Sequence, residues 1–154
     1  MRRPRFAIIP ALLLLSAAAA GAQDFNIIGS GIVIGEPTGI TAKVWAEGGV
    51  AADAAVAWSF IGDSSLYLHT NVLYHYALRT TPSDNAITPY LGGGVSIRFE
   101  DELNIAVRVP LGVSWLLNVL PLEFFAELAP GVGLIPETDF EFGGGLGARF
   151  YVGL

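Results

Sequence analysis

Residues 104–116, NIAVRVPLGVSWL, decide the fold of this chain. Apolar side chains stand at every second position from Ile105 to Trp115, and small or polar residues alternate with them, with Arg108 near the middle. A two-residue period of this length is typical of a β-strand that has one apolar and one polar face. Similar segments recur along the chain, which indicates an all-β domain whose strands share this two-faced pattern.

The N-terminal segment has the composition of an export signal. Three arginines near the start precede an apolar run, residues 6–20, and the small residues that follow match a cleavage site. We expect cleavage before Gln23, which divides the chain into a signal peptide, residues 1–22, and one domain, residues 23–154. A membrane-anchoring helix is the alternative, but the run is shorter than the roughly 20 residues that a spanning helix needs.

The composition of the remaining domain suits a membrane better than water. The whole chain is 53% hydrophobic and 14% charged, whereas a soluble domain carries about a quarter charged residues. Beyond residue 22 no apolar run is long enough for a membrane helix, so a closed β-barrel is the structure that satisfies its backbone in lipid. Removal of the signal takes the net charge from −6 to −9, and we therefore expect no nucleic-acid partner.

Turn-forming residues divide the domain into eight segments of strand length. The connections between them are short, which makes neighbouring strands antiparallel. The sequence therefore predicts an all-β fold, an eight-stranded antiparallel up-and-down transmembrane β-barrel. The predicted strands are residues 25–35, 40–47, 52–61, 65–76, 88–99, 104–116, 121–132 and 139–152.

The strand charges fall on the small or polar face wherever the two faces can be assigned; the faces of the first strand stay unassigned. An eight-stranded barrel has an interior just wide enough for side chains to fill, and unpaired buried charges are costly. We therefore predict a neutral interior plug of paired charges and no open pore. The predicted interior charge network consists of Lys43, Glu47, Arg98, Arg108, Glu123, Glu127, Glu141 and Arg149, with Asp53 as a further candidate.

Aromatic residues are expected to mark the two membrane interfaces. An even number of strands places both termini in the periplasm, so odd-numbered strands run outward. The longest connection, residues 77–87, then lies on the periplasmic side. The predicted outer girdle is Trp58, Phe60, Phe99, Phe140 and Phe142, and the predicted inner girdle is Tyr74, Tyr76, Trp115, Phe124 and Phe150.

A secreted, soluble lipocalin-like barrel that carries a ligand is the main structural alternative. Lipocalins reverse the pattern seen here, because their apolar residues line the interior and their polar residues face water. In this chain the polar face is also the glycine-rich one, which favours a membrane barrel.

Five short motifs spread over almost the whole mature chain. They are residues 35–40 (GEPTGI) with Lys43 and Trp45, residues 66–69 (LYLH), residues 108–112 (RVPLG), Leu122-Glu123 with Glu127, Ala129 and Pro130, and residues 144–151 (GGLGARFY). In these motifs the chain resembles the small OmpA/OmpX-type outer-membrane β-barrels of Gram-negative bacteria, and more closely a family of outer-membrane barrels of about this length. The resemblance implies a monomer with outer-membrane lipids around it and the barrel-assembly machinery as a partner during biogenesis. It implies no reaction.

A lipid-modifying enzyme of the outer membrane is the functional alternative. Such an enzyme needs a serine beside a histidine at the outer rim, and Ser64 or Ser65 with His69 is the nearest candidate. The carboxylates of Glu123 and Glu127 are expected about 13 Å apart along one strand, farther than the roughly 5–9.5 Å of a glycosidase pair. We predict no catalytic, cofactor-binding or metal-binding residues and a non-enzymatic structural or surface-interaction role, with the specific ligand left open.

Overall fold

The structure is a computed structural model that describes residues 27–59, 65–76, 87–117 and 119–152. The predicted signal peptide and Phe60 lie outside these residues. No helix within them is long and apolar enough to cross a membrane.

The described residues contain nine β-strands and one short 3₁₀ turn. The turn, Glu47–Gly49, follows β2. The strands are β1 (Ile27–Glu36), β2 (Thr38–Trp45), β3 (Val50–Ser59), β4 (Ser65–His75), β5 (Ile87–Phe99), β6 (Leu103–Arg108), β7 (Leu111–Leu116), β8 (Leu122–Ile135) and β9 (Phe140–Val152).

The strands close into a barrel. Each strand from β1 to β5 pairs antiparallel with its sequence neighbour, and β9 pairs with both β8 and β1. Both β5 and β8 pair with β6 and with β7, so β6 and β7 are two halves of one barrel strand. The predicted eight-stranded antiparallel up-and-down barrel is therefore confirmed.

Pro110 divides that barrel strand without changing its register. The Val109 N–H donates to the Pro130 carbonyl, and the Pro110 carbonyl accepts from Gly92 N–H, both at 2.8 Å. Proline has no N–H to donate in return, so the ladder loses one hydrogen bond there. Opposite β5, Arg108 pairs with Gly94 and Leu111 with Leu91. Equal residue counts on both strands mean that no bulge forms, and the inside–outside alternation continues past the proline.

Most strands differ from their predicted ranges by one or two residues at an end, and two of the differences have identifiable reasons. The second strand ends at Trp45 and not at residue 47, because Gly48 and Gly49 adopt positive φ angles of 71° and 81° and turn the chain. The seventh barrel strand, β8, continues to Ile135 past the predicted end at residue 132. A register shift between Ile105 and Ala106 gives β8 one extra residue there.

The outer surface of the barrel is apolar. Side chains such as Val72 at 60% exposure and Leu146 at 66% project outward from the strands. In β1, whose faces the sequence left open, Ile32 and Ile34 are exposed and Gly29 is buried on the inner side. From β2 to β9, no charged side chain of the described strands lies on the outer face.

Glycines on the inner face leave room for aromatic rings. A Cβ atom on Gly29 would stand 2.5 Å from the ring of Tyr151, and one on Gly112 would stand 2.6 Å from the ring of Tyr90. Both distances are shorter than van der Waals contact, so a side chain at either position would displace the ring. The glycine content of the polar face therefore allows large side chains to fill a narrow interior.

The two ends of the barrel differ in what they carry. We call the end that holds the start of β1 and the end of β9 the terminal end, and the other the opposite end. Exposed aromatic residues stand near both ends, in positions compatible with the two predicted girdles. Trp58, Phe99, Phe140 and Phe142 lie toward the opposite end, and Tyr74, Tyr76, Trp115, Phe124 and Phe150 toward the terminal end.

Candidate functional site: the charged barrel interior

Glu123 is the centre of the interior network. In the sheet, β1 and β9 lie between β2 and β8. Across the lumen, Lys43 Nζ on β2 lies 2.8 Å from Glu123 Oε1 on β8. The Tyr151 hydroxyl donates to Glu123 Oε2 at 2.6 Å, and a nitrogen of Arg149, the register partner of Glu123 on β9, lies 3.4 Å from the same oxygen. Lys43 and Glu123 are each 1% exposed, so this carboxylate balances two cations away from solvent.

Arg149 joins this centre to β3. Its Nη2 atom lies 3.0 Å from Asp53 Oδ2 and donates to Thr41 Oγ1, also at 3.0 Å. The Asn71 amide donates to Asp53 Oδ1 at 2.7 Å. The guanidinium carbon stands 3.9 Å from the ring centroid of Phe125, a distance at which a cation is attracted to an aromatic face. Arg149 is thus held on every side by partners from three other strands.

A second ion pair lies between Arg108 and Glu127. Arg108 Nη2 stands 2.7 Å from Glu127 Oε1, and both side chains are less than a tenth exposed. The Tyr90 hydroxyl donates to the other carboxylate oxygen at 3.0 Å, and Arg108 Nη1 donates to the Tyr67 hydroxyl at 3.1 Å. Each charge of the pair therefore has a tyrosine as an additional partner.

Arg98 forms the weakest part of the network, near the opposite end. It lies 3.7 Å from a carboxylate oxygen of Glu141 and 3.9 Å from one of Glu100. The Arg98 side chain is 30% exposed, and ion pairs that contact solvent contribute little to stability.

Seven of the eight residues predicted for the interior network lie on the inner face, and Glu47 does not. Glu47 stands in the 3₁₀ turn after β2 and is exposed, because β2 ends before the predicted alternation would have turned it inward. The further candidate, Asp53, is 3% exposed and pairs in register with Lys43. Among the described residues, the deeply buried charges are then three cations, Lys43, Arg108 and Arg149, and three anions, Asp53, Glu123 and Glu127.

An aromatic cluster surrounds Lys43 at the terminal end. Lys43 Nζ lies 4.3 Å from the ring centroid of Trp45 and 2.9 Å from His75 Nε2. The His75 ring in turn stands 4.4 Å from Trp45 and 5.0 Å from Tyr90, between centroids. We call these four residues the Lys43 cluster. Sequence reasoning missed it, because its members come from three strands and meet only through the strand register.

The cavities inside the barrel are small. Two cavities of about 30 Å³ each lie within the part of the chain that the structure describes, whereas small-molecule sites measure roughly 300–1,000 Å³. Charged residues, among them Arg108 and Glu127, line the first cavity together with apolar ones such as Val33, Ala57 and Phe125. This interior lacks the volume of a ligand carrier, and the apolar side chains cover the outer face, so the structure disagrees with the lipocalin-like alternative.

The described residues do not assemble the catalytic arrangement considered from sequence. Ser65 and His69 lie on the inner side of β4 four residues apart, a separation of about 13 Å along a strand, too far for a nucleophile and its base. Ser64 lies outside the described residues. Among the residues that the structure describes, no group of three His, Asp or Glu side chains could hold a metal ion.

Comparison with known proteins adds structural relatives only. No family model and no curated protein matches the chain. The N-terminal β-barrel domain of Pseudomonas aeruginosa OprF superposes with a TM-score of 0.68 at 15% identity, over 84% of this chain and all of that domain. Neisserial surface protein A (NspA) aligns with a TM-score of 0.47 at 14% identity, over 83% of this chain and 95% of its own. The barrel closure and the OprF superposition together give this chain the fold of the small OmpA/OmpX-type eight-stranded outer-membrane β-barrels.

Proposed function

We propose that the protein is an integral β-barrel of the bacterial outer membrane, exported through its N-terminal signal, with a non-enzymatic structural or surface-interaction role. The observation that carries this proposal is the sorting of side chains across the barrel wall, with apolar residues outside and the charges inside. Soluble monomers rarely expose continuous apolar patches larger than a few hundred Å². A barrel whose whole wall is apolar is therefore expected to sit in lipid.

The dimensions of the strands agree with this location. A β-strand of about 9–11 residues, when tilted, crosses the hydrocarbon core of a bilayer. The strands β1 and β3 have 10 residues each, and β4 has 11. With the aromatic residues at the two barrel ends as interfacial girdles, outer-membrane lipids are the main surroundings of a monomer, and the barrel-assembly machinery inserts it.

Charge on the outer face provides a direct test of which surface meets lipid. Val109, 48% exposed near the middle of its barrel strand, is expected to lie deep in the bilayer. We expect Val109→Arg to lower the free energy of unfolding in lipid vesicles by ~2–4 kcal/mol, because lipid-facing arginine is costly near the midplane.

The matched control is Val119→Arg. Val119 is 92% exposed and lies in the connection between β7 and β8, so the same change there should alter the free energy of unfolding by less than about 0.5 kcal/mol. Urea titrations of both variants in vesicles give the comparison. Equal effects at the two positions would contradict a lipid-facing barrel wall.

The ion pairs inside the barrel predict that the folded protein conducts no steady ion current across a bilayer. The three buried cations and three buried anions hold one another across the lumen, which leaves no continuous path for ions. Purified protein in planar bilayers should show no long-lived conductance steps at moderate voltage. Regular steps of uniform size from the folded protein would contradict the plugged interior.

A non-enzymatic role is supported by the separation of Ser65 from His69. Lipid A from cells that produce the protein should have the same acyl chains as lipid A from cells that lack it, as measured by mass spectrometry. A change in acylation that depends on His69 would favour the enzyme instead.

A further inference from the structure

We propose that the barrel interior is a blind polar vestibule: water and small hydrophilic ions enter it from the opposite end as far as the Arg108–Glu127 pair, and the Lys43 cluster closes the terminal end. This inference goes beyond the proposed function, because it concerns which end of the interior exchanges with solvent and not where the protein resides.

The size of the inward side chains changes along the barrel axis. Toward the terminal end the interior holds bulky, buried residues, among them Leu73 at 1% exposure and Tyr90 and Tyr151 at 3% each. Toward the opposite end, where Tyr67 and Arg98 are larger, many inward positions are small. They include Ala55, Ala57, Ala129, Gly131, Gly143 and Gly145.

Both interior cavities follow this asymmetry. One is lined by Ala55, Ala57 and the glycines of β9 and extends to Asp53 and Arg149. The other is lined by Arg98 and Glu141 near the opposite end. Arg108 lines both, so the two cavities adjoin. The Arg98 side chain remains 30% exposed, which gives the vestibule a polar mouth. Neither cavity is lined by Trp45, His75 or Tyr90.

Unpaired polar atoms in the vestibule call for a small polar occupant. The Nδ1 atom of His69 and the Nε atom of Arg108 are buried and have no hydrogen-bond partner among the residues that the structure describes. Four other buried side-chain atoms share this state, among them Nδ1 of His75 in the Lys43 cluster. His69 and Arg108 both line the first cavity. Buried polar atoms of this kind are usually satisfied by water, and a cavity of about 30 Å³ admits water or an ion of similar size but no larger ligand.

The Lys43 cluster forms the closed end. Lys43 is 1% exposed and Ala51, on the neighbouring strand β3, is 0% exposed. The ring of Trp45 packs against the core formed by Ala51, Leu73 and Tyr90. Water that enters from the opposite end therefore meets the ion pairs and then a layer of packed rings.

Two alanines on the inner face of β3 allow a matched test. The chain has no cysteine, so single-cysteine variants need no further change. Ala55→Cys places a thiol in the vestibule, and Ala51→Cys places one four residues away, behind the Lys43 cluster. Each variant is folded in detergent, which leaves both barrel ends open to solvent. It is then exposed to Ag⁺ for a series of increasing times. Thiols that remain are then counted with a fluorescent maleimide after unfolding.

We expect Ag⁺ to block the Ala55→Cys thiol at least about tenfold faster than the Ala51→Cys thiol, because a closed site reacts only when the fold opens locally. Adding Trp45→Ala to Ala51→Cys should remove most of that difference. Similar rates for both thiols, whether fast or slow, would overturn the proposal. If Ala51→Cys does not fold, the near-isosteric Ser114→Cys, at a 5% exposed inner position toward the terminal end, takes its place.

Discussion

Replacement of Glu123 by leucine is expected to lower the free energy of unfolding by on the order of 3–5 kcal/mol, the range found when one partner of a buried ion pair is removed. The carboxylate balances Lys43 and Arg149 and accepts a hydrogen bond from Tyr151. Without it the deep interior holds three cations and two anions. Lys43 loses the carboxylate that it contacts, and Asp53, its register partner on β3, is already paired with Arg149.

The measurement is urea-dependent folding in lipid vesicles, with two further variants. Glu123→Gln keeps the shape of the side chain and removes its charge, so it should lose most of the same stability if charge balance is the cause. Glu47→Gln makes the same change in the exposed turn and should stay within about 0.5 kcal/mol of the wild type. A loss as small for Glu123→Leu as for Glu47→Gln would contradict the interior network.

Replacement of Arg108 by leucine is the second large effect that we expect, again on the order of 3–5 kcal/mol. The change leaves Glu127 inside the barrel with the Tyr90 hydroxyl as its remaining hydrogen-bond donor. Arg108 and Val109 are sequence neighbours on opposite faces of the wall. Loss of charge at position 108 leaves a carboxylate unpaired inside the barrel, and gain of charge at position 109 places a cation in lipid. Both changes should therefore destabilise the barrel.

A double-mutant cycle separates the ion pair from general packing. Arg108→Leu with Glu127→Leu removes both charges, and well-packed apolar replacements of a buried pair are often neutral or stabilising. The double variant should therefore be more stable than Arg108→Leu alone, with a coupling energy of roughly 1–3 kcal/mol. Strictly additive losses would show that the two side chains do not depend on each other.

Much of the architecture follows from a two-residue period, because a strand in a barrel wall has only two environments. Arg108 beside Val109, or Glu123 beside Phe124, already indicates which side of the wall is polar, and the structure agrees. The period is informative even across Pro110, since equal residue counts in the neighbouring strands keep the register. The eight barrel strands and their antiparallel order could be predicted for this reason.

Features that depend on register or turn geometry could not be predicted in the same way. Glu47 continues the alternation of β2 in sequence, but the positive φ angles of Gly48 and Gly49 end the strand first. The extension of β8 to Ile135 depends on a bulge opposite β6. In the first strand the apolar residues do not contrast with charges, and the neighbours on β2 and β9 determine the faces.

The interior partners were the least predictable part of the site. Lys43, His75 and Tyr90 lie far apart in sequence and meet because the β4–β5 register sets His75 opposite Tyr90. The contact between Lys43 and Glu123 crosses two intervening strands. A single sequence shows that inward charges must pair, because the lumen of an eight-stranded barrel is narrow. Which charges pair with each other depends on the strand register.

The central claim is that this chain forms a closed barrel in the outer membrane. The most direct test is gel mobility of protein from the outer-membrane fraction, with unboiled and boiled samples compared. A closed, detergent-resistant barrel should migrate at a different apparent mass before boiling and shift to the unfolded position afterwards. Recovery of the protein in the soluble periplasmic fraction with no heat-dependent shift would contradict the account.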